Sequence, residues 1–436
     1  RWFKVFQTLK NAWSMPELRK KMLYTLFIIL IFRFGSCIPV PFIDTTLLSQ
    51  YFEQASVNGS MLGYLDMFTG GGLSRATIFA MSITPYINAS IILQLLTVAI
   101  PALERMVKDG GEEGREKIAS WTRYLGVLLG LLQGLSYYAL LRNGFGGKTM
   151  LSNTGALAAV TIIVTFTAGT ALIMWMGEQI NQKGIGNGIS ILLFAGIVAR
   201  LPQTIRLLGQ YLSAANQDPT NYGKYYFLVP LFVVLFLAVI WVIAFMNNSE
   251  RRIPVQYAKR VVGRKMYGGQ STHIPIKVAM SGVLPIIFAS SILSIPSTIQ
   301  LFMGGNVTGF WKSFFDAFSS TGWLYSVLYF LLIIMFAYFY VTIQYNPIEM
   351  ANNLRQNNGT IPGIRPGKPT SDYLNKILNY IVFIGACGLI VIAIVPILAS
   401  GLLNVSRISF SGTSLIIIVG VVLETIKAVE SQMLVR

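Results

Sequence analysis

With 436 residues, 54% of them hydrophobic and only 12% charged, and a mean hydropathy of +0.60, the chain holds about half the charge of an ordinary soluble domain. That excludes a soluble globular protein and points to a polytopic membrane protein. The formal charge of +17 leaves nucleic acid, an acidic partner or anionic lipid open, and the placement of the charges decides among them.

Ten apolar runs reach the ~20 residues that cross a bilayer: 22–42, 76–98, 121–141, 154–176, 185–205, 225–246, 274–300, 322–345, 375–399 and 411–433. Several are interrupted by Gly, Pro or Ser, as in helices that pack closely or bend. The basic N-terminus leads straight into the first run, so no cleavable signal peptide is expected. Arg33 lies within that run, near its far end, where it can snorkel. The two cysteines, Cys37 and Cys387, have no metal or redox spacing and read as packing residues.

Ahead of the second run lies an apolar piece, 62–74, cut by Gly70, Gly71 and Gly72. Thirteen residues cannot span. Lipid cannot satisfy bare N–H and C=O groups, so such backbone belongs inside protein or beside a cavity. Two readings stand: a segment folded back into a cavity, or an interfacial loop.

An even number of spans puts both termini on one side. The N-terminal arm, the 101–123 connection, Lys183, the 247–277 and 355–376 loops and the C-terminus hold 25 of the 34 Lys and Arg. The positive-inside rule makes that side cytoplasmic. A division near 210 leaves five spans in each half (1–210 and 211–436), and an odd number inverts one half against the other. That is the topology of an inverted repeat with its site at the midplane.

Two loops on the basic side, 247–277 and 346–376, are long and polar. The first alternates at Arg252-Ile253-Pro254-Val255-Gln256-Tyr257, which predicts an extended hairpin standing off the membrane. The second holds IPGIRPGKP, a stiff turn presenting Arg365 and Lys368. Contact with anionic lipid would need charge but no stiffness, so a docked macromolecule is the favoured reading.

Catalytic motifs are absent. Gly184-Ile185-Gly186-Asn187-Gly188 lacks phosphate-loop spacing and a preceding strand, and reads as the tight start of the fifth span. With one histidine, no P-loop, no metal cluster and no nucleophile beside a base, neither an enzyme nor a cofactor site is expected. A secondary transporter is the rival reading, but coupled transporters place ionisable groups near the midplane. Glu424 and Lys427 lie only towards one end of the tenth span. What recurs in mid-span is isoleucine, at Ile83, Ile87, Ile189, Ile287 and Ile417. Each alone is ordinary core filling; as a collar they would exclude ions by dewetting, which suits a conduit for something large and varied.

The motifs DMFTGGGLSRATIFAMSITPYINASIILQLL, GIGNGISILLFAGIVA, YAKRVVGRKMYGGQSTHIPIKV, LPIIFASSILSIP, ANNLRQNNGTIPGIRPGKPT and SGTSLIIIVGVVLE resemble, in order and nearly end to end, those of the bacterial SecY family of protein-conducting channels. The resemblance implies an all-α integral membrane protein, with ten transmembrane helices in two inverted five-helix halves. They would form a clamshell around a central pore, with a short re-entrant plug and a hinge between spans five and six.

It assigns a pore ring to Ile83, Ile87, Ile189, Leu193, Ile287 and Ile417, Leu193 standing where isoleucine is common. A plug is implied at Leu62, Tyr64, Leu65, Asp66, Met67 and Phe68, continuing through Gly70, Gly71, Gly72, Leu73 and Ser74. A lateral gate for signal sequences falls on Asn88, Ile91, Ser291 and Ile295. Docking of motor or ribosome falls on Arg251, Arg252, Lys259, Arg260, Arg264, Lys265, Arg365 and Lys368. Implied partners are SecE-like and SecG-like membrane subunits, the SecA ATPase motor, ribosomal RNA, signal-bearing polypeptides and anionic lipids. The implied location is the bacterial plasma membrane.

Overall fold

The computed structural model describes residues 10–57, 66, 69–108, 110–144, 149–218, 223–257, 260–262, 265–267, 271–280, 282, 284–296, 299, 309–318, 323–402 and 412–434. The first helix, α1 (Pro16–Gly35), opens on a proline, whose fixed φ suits a first helical turn. It begins earlier than the apolar run 22–42 because Glu17, Arg19, Lys20 and Lys21 continue the helix past the apolar part. It ends before Pro39 and Pro41, which cannot sit inside one. A short helix, α2 (Thr45–Val57), follows. The Asp44 carboxylate accepts from the Thr46 hydroxyl at 2.5 Å and from the backbone N–H groups of Thr46 and Leu47. Those bonds, the hydroxyl's first, hold the carboxyl below the usual aspartate range.

The second apolar run departs from a single spanning helix. Residues 69–83 are buried turns, and α3 covers only Thr84–Ala99. It bends by 105° into α4 (Pro101–Lys108), at the proline. Then come α5 (Gly111–Asn143), at 33 residues about 50 Å long, and α6 (Ala156–Lys183). The helix α7 (Gly188–Val198) is capped by Asn187, whose side chain accepts from the N–H groups of Ile189 and Ser190. A turn at Ala199 and Arg200 leads into α8 (Leu201–Gln217), so position 210 lies inside a helix. The next span is α9 (Tyr225–Asn248).

The predicted hairpin forms. Strand β1 (Glu250–Tyr257) runs antiparallel to β4 (Ser271–Lys277), from Glu250 opposite Lys277 to Gln256 opposite Ser271. Between them β2 (Arg260–Val262) pairs with β3 (Lys265–Tyr267). The seventh run is cut back: residues to Lys277 are strand, and helix α10 covers only Leu284–Leu293. The amphipathic α11 (Phe310–Ala317) and the spanning α12 (Trp323–Gln344) follow. The polar loop after α12 holds a helix, α13 (Pro347–Gln356), and a short strand, β5 (Gly359–Thr360), bonded to β1 at Gln256 and Tyr257. The chain closes with α14 (Lys368–Leu402) and α15 (Gly412–Leu434).

Six stretches among the described residues are long and apolar enough to cross a membrane alone, and the bent α3–α4 pair makes a seventh. The other three spans of the ten-helix architecture are α1, α10 and α15. The first and last carry charges (Arg19, Lys20, Lys21 and Arg33; Glu424, Lys427 and Glu430), and α10 has only ten residues.

The three largest apolar clusters among the described residues hold most of the core. The largest joins α1, α3, α6 and α7 to α9, α10, α12, α14 and α15. A second packs Leu73, Ala76, Ala80 and Met81 of the buried turns against Leu48, Phe52, Tyr137 and Phe166. A third fixes the hairpin through Ile253, Val255 and Ile276 on Leu354, Ile361, Leu374 and Leu378. Glycine permits the closest approaches: a Cβ on Gly169 of α6 would fall 2.1 Å from the Ile78 carbonyl oxygen. Gly169→Ala therefore forces backbone apart, and overpacking of this kind costs about 1–3 kcal/mol. A melt of the detergent-solubilised protein should show the transition several degrees lower.

Candidate functional site

The site is built where helices from both parts of the chain meet. Ile83 and Ile87 come from the start of α3, Ile189 and Leu193 from α7, Ile287 from α10 and Ile417 from α15. All six belong to one cluster: five are buried and Ile189 packs against them. Their approach is direct at Gly177 of α6, where a Cβ would touch Ile83, Ile189 and Leu192 at 3.7 Å each. The glycines ahead of α7 act as predicted. Gly186 has φ +80°, and a Cβ on Gly188 would meet the Gly177 carbonyl oxygen at 2.0 Å. Chemically the collar offers apolar surface and no ligand.

On one side of the collar lies the described part of the glycine-rich piece. Leu62, Tyr64, Leu65, Met67 and Phe68 fall outside the described residues. Asp66 and Thr69 to Leu73 are buried or nearly so and Ser74 is half-buried, so this stretch is no interfacial loop. The Asp66 carboxylate accepts the backbone N–H of Ser74 at 2.8 Å and pairs with the Arg200 guanidinium, the two side chains being 6% and 13% exposed. The buried Tyr137 hydroxyl of α5 donates to the Leu73 carbonyl. A Cβ on Gly70 would fall 2.6 Å from the Gly196 carbonyl oxygen of α7. Nothing local in the sequence announces these contacts, because Asp66 and Arg200 lie 134 residues apart. The available signal was Asp66 itself, the one acid in an apolar stretch.

Beside the collar α3 packs on α10. Ile91 and Ser291 are buried, Asn88 is half-buried and Ile295 is exposed. Pro285 opens α10 and costs it no interior bond. The Ser290 hydroxyl donates to the Ile287 carbonyl at 2.9 Å and the Ser294 hydroxyl to that of Ser291 at 2.6 Å. A polar contact joins α3 to α12: the Tyr340 hydroxyl of α12 donates to Gln94 Oε1 of α3 at 2.9 Å, and Gln94 Nε2 donates to Ser90 Oγ at 3.1 Å. Next to it, on the basic-loop side, a cavity of about 480 Å³ opens between Thr97, Val98 and Glu104 and the facing Tyr338, Asn346 and Asn379.

The basic loops present their charge on a stiff frame. Arg251 and Arg252 are exposed on β1, and Arg252 Nη2 lies 2.7 Å from Glu250 Oε1. In the β2–β3 register Arg260 stands opposite Tyr267 and Lys265 opposite Val262. Lys259 and Arg264 lie outside the described residues. Arg365, on the turn after buried Ile361, and Lys368, at the start of α14 ahead of buried Thr370, are both exposed. The Thr370 hydroxyl donates to the Arg365 carbonyl at 2.8 Å, and Gly363 and Gly367 take φ +82° and +100°, which favour glycine.

A family model described as SecY matches residues 77–426. The chain is 45% identical over 97% of its length to the "Protein translocase subunit SecY" of Streptomyces galbus, covering 96% of that protein. The proteins of the same name from Thermotoga maritima and Escherichia coli are 42% and 41% identical, over 99% and 98% of this chain and 96% and 94% of theirs. Among solved structures, one described as a protein-conducting channel superposes with a TM-score of 0.62 at 17% identity, over 98% of this chain and 97% of that one. A canine Sec61 from a ribosome–channel complex gives 0.62 at 16% over the same shares. These two distant likenesses support the fold.

The Tyr340–Gln94 bond ties α12 to α3, and a net hydrogen bond contributes about 1 kcal/mol. Tyr340→Phe should raise the population in which the two helices separate about fivefold. Thiol-reagent labelling of a cysteine placed at buried Ile91, one turn before Gln94 on α3, should quicken in proportion, with the collar unchanged.

Proposed function

The chain belongs to the SecY family, and from that premise we infer that it is the pore-forming subunit of a translocase, a protein-conducting channel for secretory polypeptides. The observation that carries this reading is the collar. Six apolar side chains from four helices of the two halves converge where a coupled transporter would need ionisable groups. An apolar ring closes on itself by dewetting when empty, and makes no demand on the chemistry of what passes. The channel itself is passive, with a bound motor or ribosome doing the work.

In this reading residues 1–210 and 211–436 are the two halves of the clamshell. The stretch 62–74 is the plug, and α3 against α10 is the lateral gate. A signal sequence enters there as an apolar helix, exchanging lipid for gate residues. Apolar burial contributes about 25 cal/mol per Å², so selection follows hydrophobicity and length rather than a motif. Membrane segments leave laterally by the same path.

The basic side is the cytoplasm, and both termini lie there, in a bacterial plasma membrane. The hairpin residues Arg251, Arg252, Lys259, Arg260, Arg264 and Lys265, with Arg365 and Lys368, dock SecA or ribosomal RNA. Some of the same charges touch anionic lipid. SecE-like and SecG-like subunits cover lipid-facing helix surfaces. The β1–β5 pairing supports one docking frame built from both loops, because a partner pushing on either moves both.

Arg365→Glu tests the docking assignment. Its side chain is exposed, so the variant should insert into the membrane normally and fail in precursor translocation. Ribosome binding by the native protein should weaken with salt, and Arg365→Ala should lower the slope of log K against log salt by about 0.7–0.9, one phosphate contact. Normal translocation by Arg365→Glu would remove this residue from the docking surface.

A further inference from the structure

The helix α7 and the turn that follows it carry four residues at steps of four, three and four: Ile189, Leu193, Gly196 and Arg200. At 3.6 residues per turn these lie along one face. Ile189 and Leu193 belong to the collar cluster. Gly196 offers its carbonyl oxygen where Gly70 arrives without a Cβ. Arg200, just past the helix end, holds Asp66 in a buried ion pair. One rigid face therefore contacts both the ring and the plug.

We propose that the Asp66–Arg200 pair is a specificity-determining lock, transmitted to the collar by the Ile189–Leu193–Gly196–Arg200 face of α7, which sets how hydrophobic a signal must be to open the channel. This rests on the plug reading above. The pair is suited to a threshold because both partners are largely desolvated. Moving one partner away leaves the other buried without its counter-charge, a strongly unfavourable state. The plug therefore gives way abruptly rather than by degrees. Asp66 is doubly engaged, one oxygen on Arg200 and the other on the Ser74 N–H. Release of Arg200 thus loosens the turn that begins at Gly70. Movement of α7 shifts ring and lock together, so a signal that spreads the collar also unlocks the plug.

Gly70 gives an independent handle on the same contact. Its φ of +69° disfavours a side chain, and a Cβ would meet the Gly196 carbonyl oxygen at 2.6 Å. Gly70→Ala should push the plug from α7 without touching either charge.

The test uses the full-length channel in proteoliposomes, read out by resting halide leak and by translocation of a precursor series of graded signal hydrophobicity. Asp66→Asn, Arg200→Gln and Gly70→Ala should each raise the resting leak on the order of tenfold and let weaker signals pass. The charge-swapped Asp66→Arg/Arg200→Asp should return both towards the native values, which general damage to folding would not do. Deletion of 62–74 is the control for the plug reading. Raised leak in the deletion with native behaviour in the three point variants overturns the lock and leaves the plug standing. No leak in the deletion overturns both. A swap as leaky as the single variants also overturns the lock.

Discussion

Non-helical backbone at membrane depth must find its hydrogen bonds within the protein, because hydrocarbon supplies none. The rest of this structure depends on how residues 69–83 meet that demand. Turn bonds close within the segment, from Gly72 N–H to the Thr69 carbonyl, from Thr77 to Gly72, from Ala80 to Thr77 and from Ser82 to Phe79. Two bonds go to the strand-like stretch after α1, from Val40 N–H to the Ala76 carbonyl at 2.9 Å and from Ile78 N–H to that of Ile38 at 3.0 Å. Side chains take more: the Asp66 carboxylate accepts from Ser74 and the Thr69 hydroxyl from Leu73. So satisfied, the segment can lie in the interior and turn Ile83 and Ile87 towards α7, α10 and α15.

That placement separates two kinds of interaction. The collar is purely apolar and non-directional, which suits a pore that must seal around unlike side chains and close when they have gone. The contacts beside it are directional: an ion pair, a tyrosine hydroxyl on a carbonyl, and a tyrosine on a glutamine that links α12 to α3. Non-directional surfaces part and rejoin with little memory of position. Directional bonds restore register. A channel that opens repeatedly needs both, and the structure keeps them in adjacent layers.

Much of this was legible in the residues, and the parts that were not have physical causes. Run length gives most of the spans, because hydropathy acts locally. The alternation at Arg252–Tyr257 gives the hairpin for the same reason. Run length fails at 76–83 and 274–283, where apolar residues are buried in turns or lead out of a strand; an interior that shields irregular backbone looks like a helix to a hydropathy count. The early start of α1 fails in the opposite sense, since Arg19, Lys20 and Lys21 suit a helix projecting into water. Asp66 with Arg200 and Tyr340 with Gln94 are pairs 134 and 246 residues apart, and nothing local announces them. Five of the collar residues stand in the sequence as isoleucines at mid-span, a pattern that core packing also produces, and only the resemblance to the family singles them out, with Leu193, as a ring.

The account stands on the collar being the path of the polypeptide. The most direct measurement is site-specific crosslinking of a stalled secretory chain to cysteines placed at Ile83 and Ile287, one from each half. Crosslinks at both, lost when the signal's apolar core is interrupted by charge, are the predicted result. Their absence while motor or ribosome remains bound to the folded protein would contradict it, and would make these isoleucines core packing alone.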